Sequence, residues 1–444
     1  MGKTYRPYLP EQDLLLPPSL RDWLAEGHLA YFVSDLVDEM DLREIESYYE
    51  KEERGYPPYH PRMMTKILVY GYCVGVFSSR RLQKRLQEDL GFKVLAAGNE
   101  PDFRTLADFR KLHLHTLEGL FEQVLRMALE LGTMKLGRVA IDGSKVKANA
   151  SKHKAMSYKR MQEEQKRLRE EVRRLLAEAE RIDTEEDKRY GRNSSGDELP
   201  AELQRRQQRL ERIRAAKRAL EERAQREAEA KTAEPAASDE KKRKEEPPDK
   251  VVPKDTDQYN FTDAESRIMK GADGFVQGYN AQIAVEPVLQ LIVGQAVTQA
   301  GNDKQQLLPM IEKVEEQSGR KPLQVLADSG YTSEASIVGA EQAGIDTYLA
   351  VARDKHNQRP GPCPRGPLPR DANAKDRMRR KLQTQAGRAI YAARKAIVEP
   401  VFGQIKQARG FRQFLLRGVE KVRAEWSLVC MAHNVLKLHR WVSP

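Results

Sequence analysis

The chain has 444 residues, with 77 Lys and Arg against 66 Asp and Glu and a formal charge of +11 at pH 7. That length suits two or three domains with at least one sizeable core and excludes disorder throughout; the basic surplus points to polyanionic partners, or else to no more than a solvated basic surface. Cys73, Cys363 and Cys430 lie far apart with no C-x-x-C pair, which excludes a zinc ribbon or disulfide framework and reads as reduced thiols. The first twenty residues have no apolar signal core and no stretch approaches the ~18 apolar residues that span a bilayer, so a cytoplasmic protein without a membrane partner is expected.

From Pro18 to Gly132 the apolar period is helical. The first segment places Leu20, Trp23, Leu24 and Phe32 on one face. HPRMMTKILVYGYCVGVFSSRRLQKRLQEDL then reads as an apolar helix, a turn at Gly75 and a second helix capped by Ser78 or Ser79. On that second helix Leu82 and Leu86 mark the buried side, and Arg81, Lys84 and Arg85 the other. Such a face fits a helix laid on DNA in a helix-turn-helix-like arrangement, or simply a solvated charged face. A third helix opens at Thr105 through a hydroxyl cap and runs to Leu131.

Beyond this block the pattern changes to short apolar runs at 138–149, 274–286, 290–300, 323–331 and 347–353, read as strands, with helices after Asn302 and Ser333. Their order predicts an α/β domain with a mixed sheet. Between the first two runs lies a polar insertion. Met161, Leu168, Leu175 and Ile182 recur every seven residues there, with Val172 and Ala179 between them, and a second run carries Leu203, Leu210, Ile213 and Leu220. An antiparallel, coiled-coil-like helical hairpin is expected, followed by a charged, Pro-containing linker up to about Asp257. The predicted domains are an all-α DNA-binding domain over 1–134, a catalytic domain over 135–155 and 258–444, and the inserted hairpin and linker over 156–257.

Two of the strands deliver an aspartate. Asp142 follows the apolar run of RVAIDGSKVKAN, and Asp328 ends that of LQVLADSGY. Either alone reads as a strand-end turn former. Side by side, two carboxylates repel in a low-dielectric site, and a divalent cation is the usual way to keep both ionised. Near the C-terminal end, IYAARKAIVEPVFGQIKQARGF reads as a helix that Pro400 kinks or restarts. Glu399, Phe402 and Lys406 share one face, with Lys406 about 10 Å along the axis from Glu399. Taken alone, Glu399 and Lys406 read as surface charges. Asp303 reads as a helix cap, and Asp263 and Glu265 as weaker acidic candidates.

Together AIDGSKVKANAS, GYNAQIAV, LADSGYTS and VEPVFGQIKQARGFRQFLLRG, in that order, resemble the DDE transposases of bacterial insertion sequences, and the likeness extends from PDFRTLADFR to HNVLKL. The resemblance implies an RNase H-like catalytic domain with Asp142, Asp328 and Glu399 as catalytic and metal-binding residues. Two Mg²⁺ ions, with Mn²⁺ able to substitute, would serve as cofactors. It further implies cleavage at transposon ends and strand transfer, with terminal inverted repeats and target DNA as partners and work at the nucleoid. A homodimer in the synaptic complex is expected because both ends must be cut together, with the inserted hairpin either mediating it or standing as a packed monomeric protrusion. In related families a Tyr, Arg, Glu, Lys series stands at fixed spacing on the helix. The interval from Glu399 to Lys406 matches it, but Tyr391 and Arg394 lie one position too far from Glu399 and Lys395 takes the arginine place. Lys406, Tyr391, Arg394, Lys395 and Arg409 are therefore expected to contact phosphates, with Arg81, Lys84 and Arg85 as the N-terminal contacts. A non-transposing RNase H-fold nuclease and an inactive DNA-binding or assembly protein are the competing readings.

Overall fold

The computed structural model describes residues 19–50, 57–134, 136–190, 201–233, 251–271, 274–351, 363–364, 366–369 and 371–442. Among the described residues the N-terminal segment has seven α-helices: α1 Leu29–Asp38, α2 Arg43–Glu50, α3 Pro61–Cys73, α4 Ser79–Glu88, α5 Leu90–Leu95, α6 Phe103–Leu112 and α7 Leu114–Glu130. The first expected helix is broken. A short 3₁₀ turn over Leu20–Trp23 stops before Gly27 (φ +77°), and α1 restarts behind His28, whose ring nitrogen accepts from Ala30 N. Thr105 does not open the third helix either. Asp102 does, accepting from Arg104 N and Thr105 N, and the expected run divides at His113 into α6 and α7. On α4, Leu82 and Leu86 are buried and Arg81, Lys84 and Arg85 exposed, with Ser78 at the cap position but making no side-chain cap bond. Gly75 at φ +76° makes the turn before α4. A Cβ there would stand 2.6 Å from the Arg409 carbonyl oxygen, so the turn needs glycine for its conformation and for close approach to the C-terminal part of the chain.

The sheet is mixed. Its strands are β1 Arg138–Lys147, β4 Arg267–Gly271, β5 Gly274–Val285, β6 Ile292–Thr298, β7 Gln324–Ala327 and β8 Asp346–Leu349, while β2 Ala155–Ser157 and β3 Gln258–Asn260 form a separate two-stranded ladder. The strand β1 is central, antiparallel to β5 on one side and parallel to β7 on the other, with β8 parallel beyond. The long β5 carries β4 and then β6 along its other edge. Sequence periodicity missed β4, a hairpin partner in which only Met269 is buried.

The later helices are α10 Leu307–Ser318, α11 Glu334–Gln342, α12 Ala374–Gln383, α13 Gln385–Gly403 and α14 Val419–Val442. Helix α13 lies against β1, β5, β7 and β8; α14 packs on β6, α7 and α3. One apolar core therefore runs unbroken from α1 to the sheet and α14, with Trp426, Phe411 and Phe414 fully buried in it.

The insertion begins with α8 Tyr158–Tyr190 and returns through α9 Ala201–Ala233. The helices are antiparallel, as the ion pairs of Glu171 with Arg206 and of Glu164 with Arg209 require, and the Tyr158 hydroxyl donates to Glu221. Met161 and Leu168 are buried against Leu210, Ile213, Ala216 and Leu220 in a cluster separate from the main core, whereas Leu175 is only half-buried. The Ile182 and Ala179 side chains and most of the expected charged linker lie outside the described residues.

Candidate active site

The ladder between β1 and β7 ends with Ile141 opposite Ala327. Because the strands are parallel and in register, the next residue of each is an aspartate, Asp142 midway along β1 and Asp328 just past the end of β7, so the two stand at neighbouring positions. Asp142 is half-buried and accepts from Gly143 N at 2.8 Å. Burial pushes its carboxyl up to about 6; Arg394 opposes the rise, and the like charges of Asp328 and Asp303 add to it. Asp328 caps the 3₁₀ turn Ser329–Tyr331, accepting from Gly330 N at 2.8 Å.

Helix α13 supplies the third carboxylate. Thr384 caps it, accepting from Gly387 N at 3.0 Å. Pro400 neither ends nor restarts it: the helix runs through to Gly403. Proline has no N–H for the Ala396 carbonyl one turn earlier, and the Gln290 side chain donates to that carbonyl instead, at 2.9 Å. The chain then continues as a π-turn over Gln404–Ala408. The regular spacing expected between Glu399 and Lys406 is interrupted by that turn. The Lys406 ammonium donates to Ser144 Oγ and, at 3.1 Å, to the Lys145 carbonyl, and burial lowers its pKa.

Arg394 is the buried cation of the site. Its guanidinium lies 3.5 Å from Asp142 Oδ2 and 3.5 Å from Glu399 Oε1, while Lys395, which holds the expected arginine position, is exposed. The one-residue offset is absorbed because Arg394, and not its neighbour, faces β1. Tyr391 packs half-buried against the core. Arg409 is placed away from the cluster: it donates to the Val429 carbonyl at 3.1 Å and lies against Cys73 and Cys430, and burial lowers its pKa to about 10. Arg81, Lys84 and Arg85 form a separate exposed face on α4, where Lys84 and Arg85 pair with Glu88 and Asp89.

One acidic residue of the site was read otherwise in the sequence. Asp303 is not the cap of α10, whose cap position is Gln306. Its carboxylate turns to the sheet and accepts from Asn280 Nδ2 at 2.6 Å and Gln282 Nε2 at 2.7 Å, with Lys145 Nζ at 3.4 Å. Asp303 Oδ2 and Asp328 Oδ1 both lie within 4 Å of where a Gly330 Cβ would stand. The fully buried Tyr331 donates to Gln282 Oε1, and burial together with the charges of Asp303, Asp142 and Asp328 raises its pKa. The sequence signal for Asp303 was weak, since it stands in the turn after β6 and not directly at the end of its apolar run. Asp263 is structural, accepting from the Tyr279 hydroxyl at 2.9 Å, and Glu265 accepts from Val419 N at 2.8 Å.

Residues 18–112 match a family described as Transposase domain (DUF772), and residues 368–439 match one described as Transposase DDE domain. The two matches together support an insertion-sequence DDE transposase. The second match includes Glu399 and Lys406; neither reaches Asp142 or Asp328. No curated protein and no solved structure matches the chain. Among the described residues of the transposase no helix is long and apolar enough to cross a membrane.

Transposases of this family generally use divalent metals. In this chain the donor chemistry fits a hard divalent cation, since Asp142, Asp328 and Glu399 offer only oxygen. As the side chains stand, however, no three His, Cys, Asp or Glu groups among the described residues gather closely enough to hold an ion, and Glu399 is paired with Arg394.

Proposed function

We propose that the chain cuts DNA at the ends of its own transposon and joins the freed ends to target DNA, using Asp142, Asp328 and Glu399 in an RNase H-like domain. The observation that carries this reading is the parallel pairing of β1 with β7, which sets Asp142 within β1 and Asp328 just past the end of β7 at neighbouring positions, beside the helix that bears Glu399. The central placement of β1 between an antiparallel and a parallel neighbour supports the RNase H-like assignment.

Asp142 and Asp328 would hold Mg²⁺, two ions in the full complex with Mn²⁺ as a substitute, and Glu399 would join them once free of Arg394. The bound cations would supply Lewis-acid activation of the attacking oxygen and charge stabilisation of the leaving one. The chain's own groups do the rest. Lys406, pinned to Ser144 and Lys145 beside Asp142, positions a backbone phosphate, and Arg394 sets the spacing between Asp142 and Glu399. Tyr391 and Lys395 remain proposed phosphate contacts on α13. Arg409 is set aside from these contacts because its guanidinium is buried beside Cys73 and Cys430, with one nitrogen donating to the Val429 carbonyl.

In the same reading, residues 1–134 recognise the terminal repeats, with Arg81, Lys84 and Arg85 on the DNA side of α4. The catalytic domain comprises 135–155 and 258–444, and the 156–257 hairpin extends its seam to a second subunit as a coiled coil. The protein acts in the cytoplasm at the nucleoid. The test is cleavage and strand transfer on labelled DNA carrying the element's ends, with Mg²⁺, Mn²⁺ or EDTA, for wild type and for Asp142→Ala, Asp328→Ala and Glu399→Ala. Metal-dependent products from wild type alone support the reading. Cleavage without strand transfer leaves the nuclease, and products from any variant remove that residue from the mechanism. Tagged-subunit mixing with and without 156–257 tests the hairpin, and an unchanged dimer yield sinks its role.

A further inference from the structure

Beside the aspartates lies a cavity of about 580 Å³ lined by Lys145, Lys147, Lys152, Lys406 and Arg412, with Phe275 at its rim and no acidic residue in its wall. Its floor is the last part of β1. There Lys147 N donates to the Arg412 carbonyl at 3.3 Å and the Lys147 carbonyl accepts from Phe414 N at 2.9 Å, so β1 is clamped between β5 and the segment that follows the π-turn. Among the described residues Lys147, Lys152, Lys406 and Arg412 make no ion pair with a carboxylate. Lys145 and Lys406 also belong to the candidate active site, the first through Asp303 and the second through Ser144, so the cavity shares two of its lining lysines with that site. Phe275 begins β5 just after Gly274 (φ +108°) and is 66 % exposed. An exposed phenylalanine alone carries no meaning. At the mouth of a cationic cavity it is a stacking platform.

We propose that this cavity binds an unpaired stretch of DNA strand at the cut, its phosphates neutralised by Lys147, Lys152 and Arg412 and one base stacked on Phe275. The volume is that of a site enclosing a small ligand, enough for a nucleotide or two and too small for a duplex. Clustered cations without carboxylates suit a polyanion, and the aromatic face selects one with an exposed base over a plain phosphate surface. The inference rests on the reading that this chain acts on DNA at Asp142 and Asp328.

The test uses the full chain in EDTA and a duplex of arbitrary sequence, either blunt or carrying a single-stranded thymidine extension with 2-aminopurine at the first unpaired position. Phe275→Ala is expected to weaken binding of the extended duplex by about 5- to 150-fold, the range for losing one stacked base, and to abolish 2-aminopurine quenching; Phe275→Trp restores both. Lys147→Ala with Lys152→Ala lowers the salt slope of that binding by about 1.4, roughly 0.7 per single-strand contact. Binding of the blunt duplex stays as in wild type. Unchanged binding of the extended duplex in all these variants, or equal losses for both probes, overturns the proposal. A chain that shows the Phe275 effect yet cuts nothing fails the catalytic reading alone, and one that cuts but ignores Phe275 fails this inference alone.

Discussion

Arg394 reaches across from α13 to place its guanidinium 3.5 Å from Asp142 Oδ2, where Asp328, just past the end of β7, is the neighbouring charge. A cation there does by itself part of what a bound metal would do: it lets a half-buried carboxylate remain ionised beside another. Arg394→Ala is expected to cost about 3 kcal/mol in metal-free buffer, the low end for breaking a buried pair because Asp142 keeps some solvent contact. The variant should also show a larger rise in melting temperature on adding Mg²⁺, since the ion no longer competes with the guanidinium for the carboxylates. A smaller rise than in wild type would count against this role.

Asp303 joins β5 to the catalytic strand through Asn280, Gln282 and Lys145. Asp303→Asn keeps an acceptor of the same shape and removes the charge. The protein should fold as before, while the divalent-cation concentration for half-maximal cleavage rises by roughly 10- to 100-fold, as when a supporting partner of a metal ligand is lost. An unchanged cation requirement, even with slower cleavage, would make Asp303 merely structural.

Asn434 fastens α14 to the start of β6, accepting from Ile292 N and donating to the Ile292 carbonyl, both at 2.8 Å in the buried core. Alanine strands both backbone groups, so urea unfolding of Asn434→Ala should show a loss of about 2–4 kcal/mol. A loss under 1 kcal/mol would mean that other groups take over the bonds.

His433 is fully buried and donates Nε2–H to the Gln290 carbonyl at 2.9 Å. Burial, with the Arg409, Lys437 and Arg440 charges acting in the same direction, holds its pKa at about 3 against an ordinary 6.5. A depressed histidine takes up a proton in the unfolded chain first. Its contribution to stability is therefore complete above about 6.5 and is lost as pH falls through 6.5 toward 3. His433→Gln keeps a donor and cannot titrate, so it should lose less stability than wild type between pH 7 and pH 5. Parallel losses would refute the assignment.

The inserted hairpin leaves the body through β2 and β3, where Ser157 stands opposite Gln258. Its apolar cluster is separate from the main core. Replacing 158–257 with a two-residue Asn-Gly turn, which closes the ladder at the Ser157–Gln258 pair, should therefore leave the thermal unfolding of the remaining body within a few degrees of wild type, as measured by circular dichroism. A cooperative loss of the whole transition would show that the hairpin supports the body.

Strand-forming apolar runs ending in Asp142 and Asp328, the helix bearing Glu399 and the heptad seam of Met161 and Leu168 are local patterns, and they were legible without the fold because burial on one face imposes a period on the sequence. What the periods do not encode is which strands are neighbours and which way a given side chain turns. Only the parallel register of β1 with β7 made Asp142 and Asp328 adjacent, and only the packing of α13 on β1 decided for Arg394 over Lys395. Asp303 illustrates the limit. Its position before a helix suggested a cap, but amides on β5, 20 and more residues away in sequence, are better partners for its charge than the helix start. The sequence by itself determined the elements and the supply of carboxylates and cations; the tertiary structure decided which of them meet, because electrostatic contact depends on distance in space and a chain's local pattern does not record it.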